Sequence, residues 1–282
     1  MWQLCFFYYF YSFFFILKII AKIKPDIVHT HTFKAGLLGR IAAWILGVPV
    51  VVHTYHGHLL TGYWGVVKTQ SLTLIEKILG KITHRALAVS KQVAADLVRA
   101  NIFPSEKMQS IELGFDMDFL SLELGQSATL RKNFGISRDA FVISIIGRMI
   151  PVKAMDLFLQ GTVPLLAKLT NLHLVLIGDG PVRKDLEDLA DLLCLPNLEL
   201  RKRIHFTGWI YPFPRELKEI DLCVCSSKNE GTSVAIIEAM IAEVPVISTR
   251  VGGMPDLLKE GELGSLIAEE SSALEEECLR IY

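Results

Sequence analysis

Ser227-Lys228-Asn229-Glu230-Gly231-Thr232-Ser233-Val234-Ala235-Ile236-Ile237-Glu238-Ala239-Met240 is the stretch on which the fold turns. It follows a short apolar run, Asp221 to Cys225, that reads as a buried parallel strand. It opens a helix at Thr232 or Ser233, both good N-cap residue types. Glu230 and Glu238 stand eight residues apart, one in the loop and one two turns into the helix. Gly231 between them permits a sharp turn and the close approach of a ligand. The amides of Thr232, Ser233 and Val234, with the helix dipole behind them, form a ready site for phosphate. Taken alone, the two carboxylates read as solvated residues, because most charged side chains are exposed. The sequel argues otherwise: a second strand follows at 244–248 and ends in Gly252-Gly253, so strand, Glu-Gly loop, capped helix and strand succeed one another.

The same alternation runs through the rest of the chain. Before the anchor, strands read at 27–31, 50–54, 85–90 and 107–113, with helices at 35–46, 67–82 and 91–100 between them. A polar, irregular passage at 120–139 follows, and then strands at 141–146, 172–177 and 204–209 with helices at 153–169 and 182–193. Strands and helices alternating at this spacing predict an α/β fold with parallel sheets wrapped by helices. The expected division is an apolar segment at 1–24, one doubly wound domain at 25–125 and a second at 126–282. Such domains place ligands at the carboxyl ends of their strands.

The motif residues fall at those ends. In Gly147-Arg148-Met149-Ile150-Pro151-Val152-Lys153, Arg148 and Lys153 can reach a diphosphate, the guanidinium with two donors and the ammonium as a point charge. Alone they would be surface charges. Gly178-Asp179-Gly180-Pro181 reads as a turn on the same edge. In the first half His29, His31, His53, His56 and His58 cluster. No carboxylate or thiolate stands among them, so the expectation is no metal site, with His29, His31 and His53 bonded to backbone. His56, in a Gly- and His-rich loop, could bond a sugar hydroxyl or accept a proton.

Composition narrows the classes. The 282 residues carry 29 Lys and Arg against 30 Asp and Glu, a net charge of -1 that implies no strong overall pull towards nucleic acid or an anionic membrane, and no nucleic-acid partner is expected. Five cysteines without a Cys-x-x-Cys pair read as packing in a reducing compartment. Mean hydropathy is +0.39, and residues 1–17 contain no charge. A run of this length is at the lower limit for spanning a bilayer, which takes about 20 residues. Three readings of the segment stay open: a membrane-inserted or interfacial helix, a helix buried against the domain, or a truncated start.

Arg148 and Lys153 in register with Glu230 and Glu238 resemble the signature of retaining, nucleotide-sugar-dependent glycosyltransferases of family 4. The resemblance extends from Pro25-Asp26-Ile27-Val28-His29-Thr30-His31 to about Ala268. It implies the GT-B fold, two Rossmann-like doubly wound domains facing across a cleft. It implies transfer of a sugar from a nucleoside diphosphate sugar, such as a UDP-sugar, to a glycan or lipid-linked acceptor, without cofactor or metal. His56, Arg148, Lys153 and Glu230 take the catalytic positions. Gly147, Arg148, Lys153, Phe206, Glu230, Gly231, Thr232, Ser233, Val234 and Glu238 take the donor-binding ones, Phe206 in the segment that carries the base. The His56-to-Tyr63 run most resembles members that build surface polysaccharide. The expected location is cytoplasmic, peripheral or anchored at the inner membrane face through residues 1–23. Where the family opens with a further strand and Gly-rich loop and closes with further helices, neither is read here, so the expectation is an incomplete first domain. A nucleotide-sugar epimerase of the same fold and a non-catalytic nucleotide-binding remnant are the competing readings.

Overall fold

A computed structural model describes residues 2–57 and 65–282, with side chains of the first helix from Tyr8 onward. His58 and most of the run from His56 to Tyr63 therefore lie outside the described residues. The chain divides into two compact units, Met1–Leu113 and Gly114–Tyr282.

Unit 1 contains α1 (Trp2–Ile23), β1 (Ile27–His31), α2 (Phe33–Ile45), β2 (Val50–Tyr55), α3 (Val66–Lys81), β3 (Arg85–Ala88), α4 (Lys91–Arg99) and β4 (Met108–Ser110). The described strands form one parallel sheet in the order β1-β2-β3-β4. Local chemistry explains several boundaries. Ser90 caps α4, its hydroxyl accepting from the Val93 amide at 3.2 Å, and Gly47 takes φ 66° just after α2. Phe13, Ile16, Leu17 and Ile20 of α1 pack with Ala42, Ala43, Val48 and Val51. Of the readings left open for this segment, packing against the domain is therefore seen for one face. No helix among the described residues is long and apolar enough to cross a membrane.

A charged network lies in the interior of unit 1. Arg40 of α2 is fully buried, and its Nη2 donates to both Glu76 oxygens of α3 at 2.9 and 3.0 Å. The Tyr55 hydroxyl, at the end of β2, donates to the same carboxylate. Burial, followed by the Glu76 charge, holds the Tyr55 phenol well above its ordinary range, so it remains a donor.

Unit 2 begins with α5 (Met117–Gly125) and α6 (Leu130–Asn133), where the sequence reads as an irregular passage. Both are fixed by groups far along the chain. Glu216 is buried and accepts from the Thr129 and Leu130 amides at 2.8 and 2.7 Å, so a distant carboxylate caps α6. Arg215 is paired with Glu123 of α5 at 2.7 Å. These bonds tie 117–133 to unit 2, which begins at Gly114.

The remaining elements are β5 (Phe141–Ile146), α7 (Met155–Lys168), β6 (Leu172–Ile177), α8 (Arg183–Leu193), β7 (Ile204–Gly208), β8 (Leu222–Cys225), α9 (Val234–Ile241), β9 (Val246–Thr249), α10 (Met254–Leu257), β10 (Ser265–Ile267) and α11 (Ser271–Ile281). The described strands are all parallel, in the order β10-β9-β8-β5-β6-β7. Counted from β5 this is the 3-2-1-4-5-6 order of a dinucleotide-binding fold, and its direction reverses between β5 and β8. The apolar strands are covered on both faces, by α7, α8 and α11 on one side and by α6 and α9 on the other. Cys223 and Cys225 sit on one face, in the same buried cluster.

Candidate functional site

The loops that leave β5 and β8 meet where strand order reverses, and they are bonded to each other. A turn at Pro151–Lys153 is followed by Ala154 at φ 44°, which opens α7. The Ser226 hydroxyl donates to the carbonyls of Lys153 and Ala154 at 3.1 and 2.8 Å, and the Lys228 amide to that of Val152 at 2.8 Å. This brings Lys153 and Glu230, 77 residues apart, into an ion pair of 2.5 Å. The same Glu230 oxygen accepts from the Ser227 hydroxyl at 3.0 Å. The side chains are mostly buried, 23% and 13% exposed, so the contact is weakly screened.

A third loop sets the backbone of Glu230. The Gly253 amide donates to its carbonyl at 3.0 Å. Gly252 has φ 52°, and a Cβ there would lie 1.6 Å from that oxygen. Only glycine fits. The Gly178-Asp179-Gly180 turn acts alike, its Met149-facing side accepting the Met149 amide on Asp179 at 2.9 Å. A Cβ at Gly178 would fall 1.9 Å from the Gly147 carbonyl. A pair of glycines that reads as an ordinary turn is therefore what lets the loops after β5 and β6 touch.

Ser233 precedes α9, and its hydroxyl makes no capping bond; the Thr232 hydroxyl donates to the Gly231 carbonyl at 2.9 Å. The start of α9 thus has no cap from its own N-cap side chain and lies near Lys153, the arrangement that favours an anion. Arg148 is exposed in the β5 loop, with no partner for its guanidinium among the described residues. Glu238 is half-buried on α9, and burial raises its carboxyl above the ordinary range.

Phe206 stands on β7 with its ring against the core and the Arg201 guanidinium 5.5 Å from its centre. The aromatic groups that β7 leaves outside are Trp209, 61% exposed, and Tyr211, 93% exposed. Tyr211 was not visible as a candidate in the sequence, because an aromatic residue beyond a strand end reads as core or surface alike.

In unit 1, β1 and β2 are parallel neighbours, which gathers the histidines. His31 Nδ1 and His56 Nε2 are 3.0 Å apart, and His29 Nε2 is 2.7 Å from the Thr54 hydroxyl. Buried His53 bonds the Thr30 hydroxyl at 2.8 Å. These partners are side chains, not the backbone groups expected from the sequence, because parallel pairing already uses the backbone. Burial, then the neighbouring imidazoles, lowers His29 and His56. His53 is brought to about 3 by burial, then Arg40 and the other histidines. Among the described residues no group of three or more His, Cys, Asp or Glu is arranged to hold a metal ion.

Residues 140–282 match the family model of glycosyl transferases group 1, and residues 2–119 that of glycosyltransferase family 4. The chain belongs to the group 1 and family 4 glycosyltransferases. The UDP-Gal:alpha-D-GlcNAc-diphosphoundecaprenol alpha-1,3-galactosyltransferase of Escherichia coli is 31% identical over 258 residues, 89% of this chain and 65% of that protein. The capsular polysaccharide biosynthesis glycosyltransferase CapM of Staphylococcus aureus is 29% identical over 260 residues, 89% of this chain and 66% of CapM. The chain thus spans just under two thirds of the length of these two relatives. Anabaena HepE, solved in complex with UDP, superposes with a TM-score of 0.77 at 22% identity, over 94% of this chain and 72% of HepE. That likeness shows the fold, GT-B.

Proposed function

We propose that this family member transfers a hexosyl or related group from a nucleoside diphosphate sugar to a glycan or lipid-linked acceptor, with retention at the anomeric carbon, in surface polysaccharide or glycolipid synthesis. The observation that carries the reading is the Lys153–Glu230 pair beside the uncapped start of α9, at the point where the sheet reverses order. A cation and a carboxylate in contact, beside the start of a helix, suit a ligand that joins a diphosphate to a sugar.

Arg148, Lys153 and the amides near Thr232, Ser233 and Val234 stabilise the diphosphate as negative charge develops on departure. Glu230 accepts from hydroxyls of the donor sugar and Glu238 from those of the ribose. The base is received at the end of β7, where Trp209 and Tyr211 are exposed and Phe206 contributes backbone. His56 of unit 1 bonds a sugar hydroxyl or accepts a proton, with His31 holding its Nε2. The names of the relatives, which specify a lipid diphosphate acceptor and a capsular polysaccharide, support the acceptor class. A lipid-linked acceptor places the reaction at a membrane surface.

Calorimetry with UDP tests the phosphate pair. Arg148→Ala and Lys153→Ala should each cost about 1.5–3 kcal/mol, the scale of a bond to a charged group, or roughly 10- to 150-fold in affinity. Unchanged affinity in both variants would remove the pair from the site.

A further inference from the structure

We propose that Arg183 is a positioning residue for the nucleobase of the donor: it fixes the backbone at the end of β7, and with it the preference of the site for one base. Each nitrogen of its guanidinium goes to a different element. Nε donates to Glu187 of α8 at 2.8 Å, Nη1 to Asp179 in the loop after β6 at 3.4 Å, and Nη2 to the Phe206 carbonyl of β7 at 3.3 Å. The Asp179 side chain is itself held, by the Gly180 amide at 2.7 Å. One residue earlier, the Val182 amide donates to the Met149 carbonyl at 3.2 Å, so the start of α8 is tied to the loop that carries Arg148. The Arg183 side chain is 30% exposed, and ion pairs at such a position add little to stability. Their effect is on geometry.

β7 needs such an anchor because it is an edge strand and because it ends irregularly. Carbonyls two residues apart on a strand point the same way. Those of Ile204 and Phe206 are both taken by guanidinium groups, the first by Arg201 at 2.8 Å and the second by Arg183. Continued regularly, the alternation would turn the Gly208 carbonyl in that direction too. Instead the pairing with β6 slips: Phe206 stands opposite Leu176 but Gly208 opposite Ile177, so Thr207 is an extra residue. Gly208 has φ 72°, and its carbonyl accepts from the Gly178 amide at 2.9 Å. A Cβ at Gly208 would touch Arg183 Nη1 at 3.6 Å, so the guanidinium lies against the bulge. The strand ends there, just before the exposed Trp209 and Tyr211. Stacking on such rings holds any base, since every base has a π-face. Telling bases apart takes donors and acceptors at fixed places. The backbone from Phe206 to Trp209 supplies them, and Arg183 holds that backbone.

The inference rests on the nucleoside diphosphate sugar reading and names the residue that makes that site selective. The test is calorimetry of the 282-residue chain, Arg183→Gln and Arg183→Lys with UDP, ADP and GDP. The readout is the ratio of affinities, because ribose and diphosphate are common to the three ligands and their contacts cancel. The parent should prefer one base. Both variants should lower that preference about two- to tenfold, the scale of one neutral hydrogen bond. Arg183→Lys keeps the charge but lacks the planar fork that reaches three partners, so it separates geometry from charge, and it decides the matter if Arg183→Gln does not fold. A residue that served only the fold would lower the melting midpoint and leave the ratio unchanged. An unchanged ratio in either folded variant overturns the proposal, as does a parent with no preference among the bases. A parent that binds none of the three overturns the nucleotide reading as well, so the two failures are told apart.

Discussion

Replacing Glu76 by Gln removes one charge from a network that has no solvent to take its place. Arg40 is fully buried and the Glu76 side chain is 7% exposed, so the variant leaves a guanidinium inside unit 1 facing a neutral amide. One of the two bonds from Arg40 Nη2, at 2.9 and 3.0 Å, then meets an amide nitrogen that can only donate. Breaking a buried pair by altering one partner costs about 3–5 kcal/mol, because the remaining charge is uncompensated. For a unit of this size each kcal/mol is worth roughly 4–8 °C in midpoint. Urea unfolding, with amide hydrogen exchange read separately on α2, α3 and the end of β2, should show a loss of that size confined to unit 1. Replacing all three members together (Arg40→Met, Glu76→Leu, Tyr55→Phe) removes the charges instead of stranding one, and should lie within about 2 kcal/mol of the parent. A single variant costing less than about 1 kcal/mol, or a triple variant as damaged as the single one, would refute the reasoning.

Glu238→Gln should weaken binding of UDP itself, because the ribose belongs to that ligand, while Glu230→Gln should leave UDP binding no weaker, since it removes a competitor for Lys153, and should weaken only the complete nucleotide sugar; calorimetry giving the opposite order would reverse the assignment. Acid should destabilise unit 1 through His53. Its folded value of about 3 lies below the ordinary 6.5, so the unfolded chain takes up the proton first. The stability is complete above pH ~6.5 and falls as pH drops towards 3, by about 2 kcal/mol at pH ~5. A parallel titration of His53→Asn with the same slope as the parent would exclude that residue as the cause.

What the sequence made legible is what short-range periodicity and motif spacing encode. Runs such as 50–54 and 172–177 read directly as strands, and their alternation with helices implied two parallel sheets. The passage from 120 to 139 was not legible as structure. Its helices depend on Glu216 and Arg215, which lie far beyond any helical window. The same limit hid the partners of Arg40 and the meeting of Lys153 with Glu230. Residue types at Arg148, Lys153, Glu230 and Glu238 suggested the chemistry, but only the bonds from the Ser226 hydroxyl and from the Lys228 and Gly253 amides explain why the loops converge. Phe206 illustrates a different gap. Motif position puts it on β7, whereas the direction of its ring is set by Arg201 and the core.

The contact between Lys153 and Glu230 has a consequence for what can occupy the site. Without a ligand, the cation and the carboxylate already neutralise one another. A bare phosphate arriving there would have to strip the ammonium from Glu230 and would offer nothing to the abandoned oxygen. On the assignment proposed above, a whole nucleotide sugar would bring both halves of an exchange, a diphosphate for Lys153 and hydroxyls for Glu230. Once the sugar has left, the remaining nucleotide again offers only the first half, and Glu230 competes for its old partner. On the proposed assignment, one ion pair would make the pocket reluctant towards small anions, receptive to the loaded donor and inclined to release the spent one.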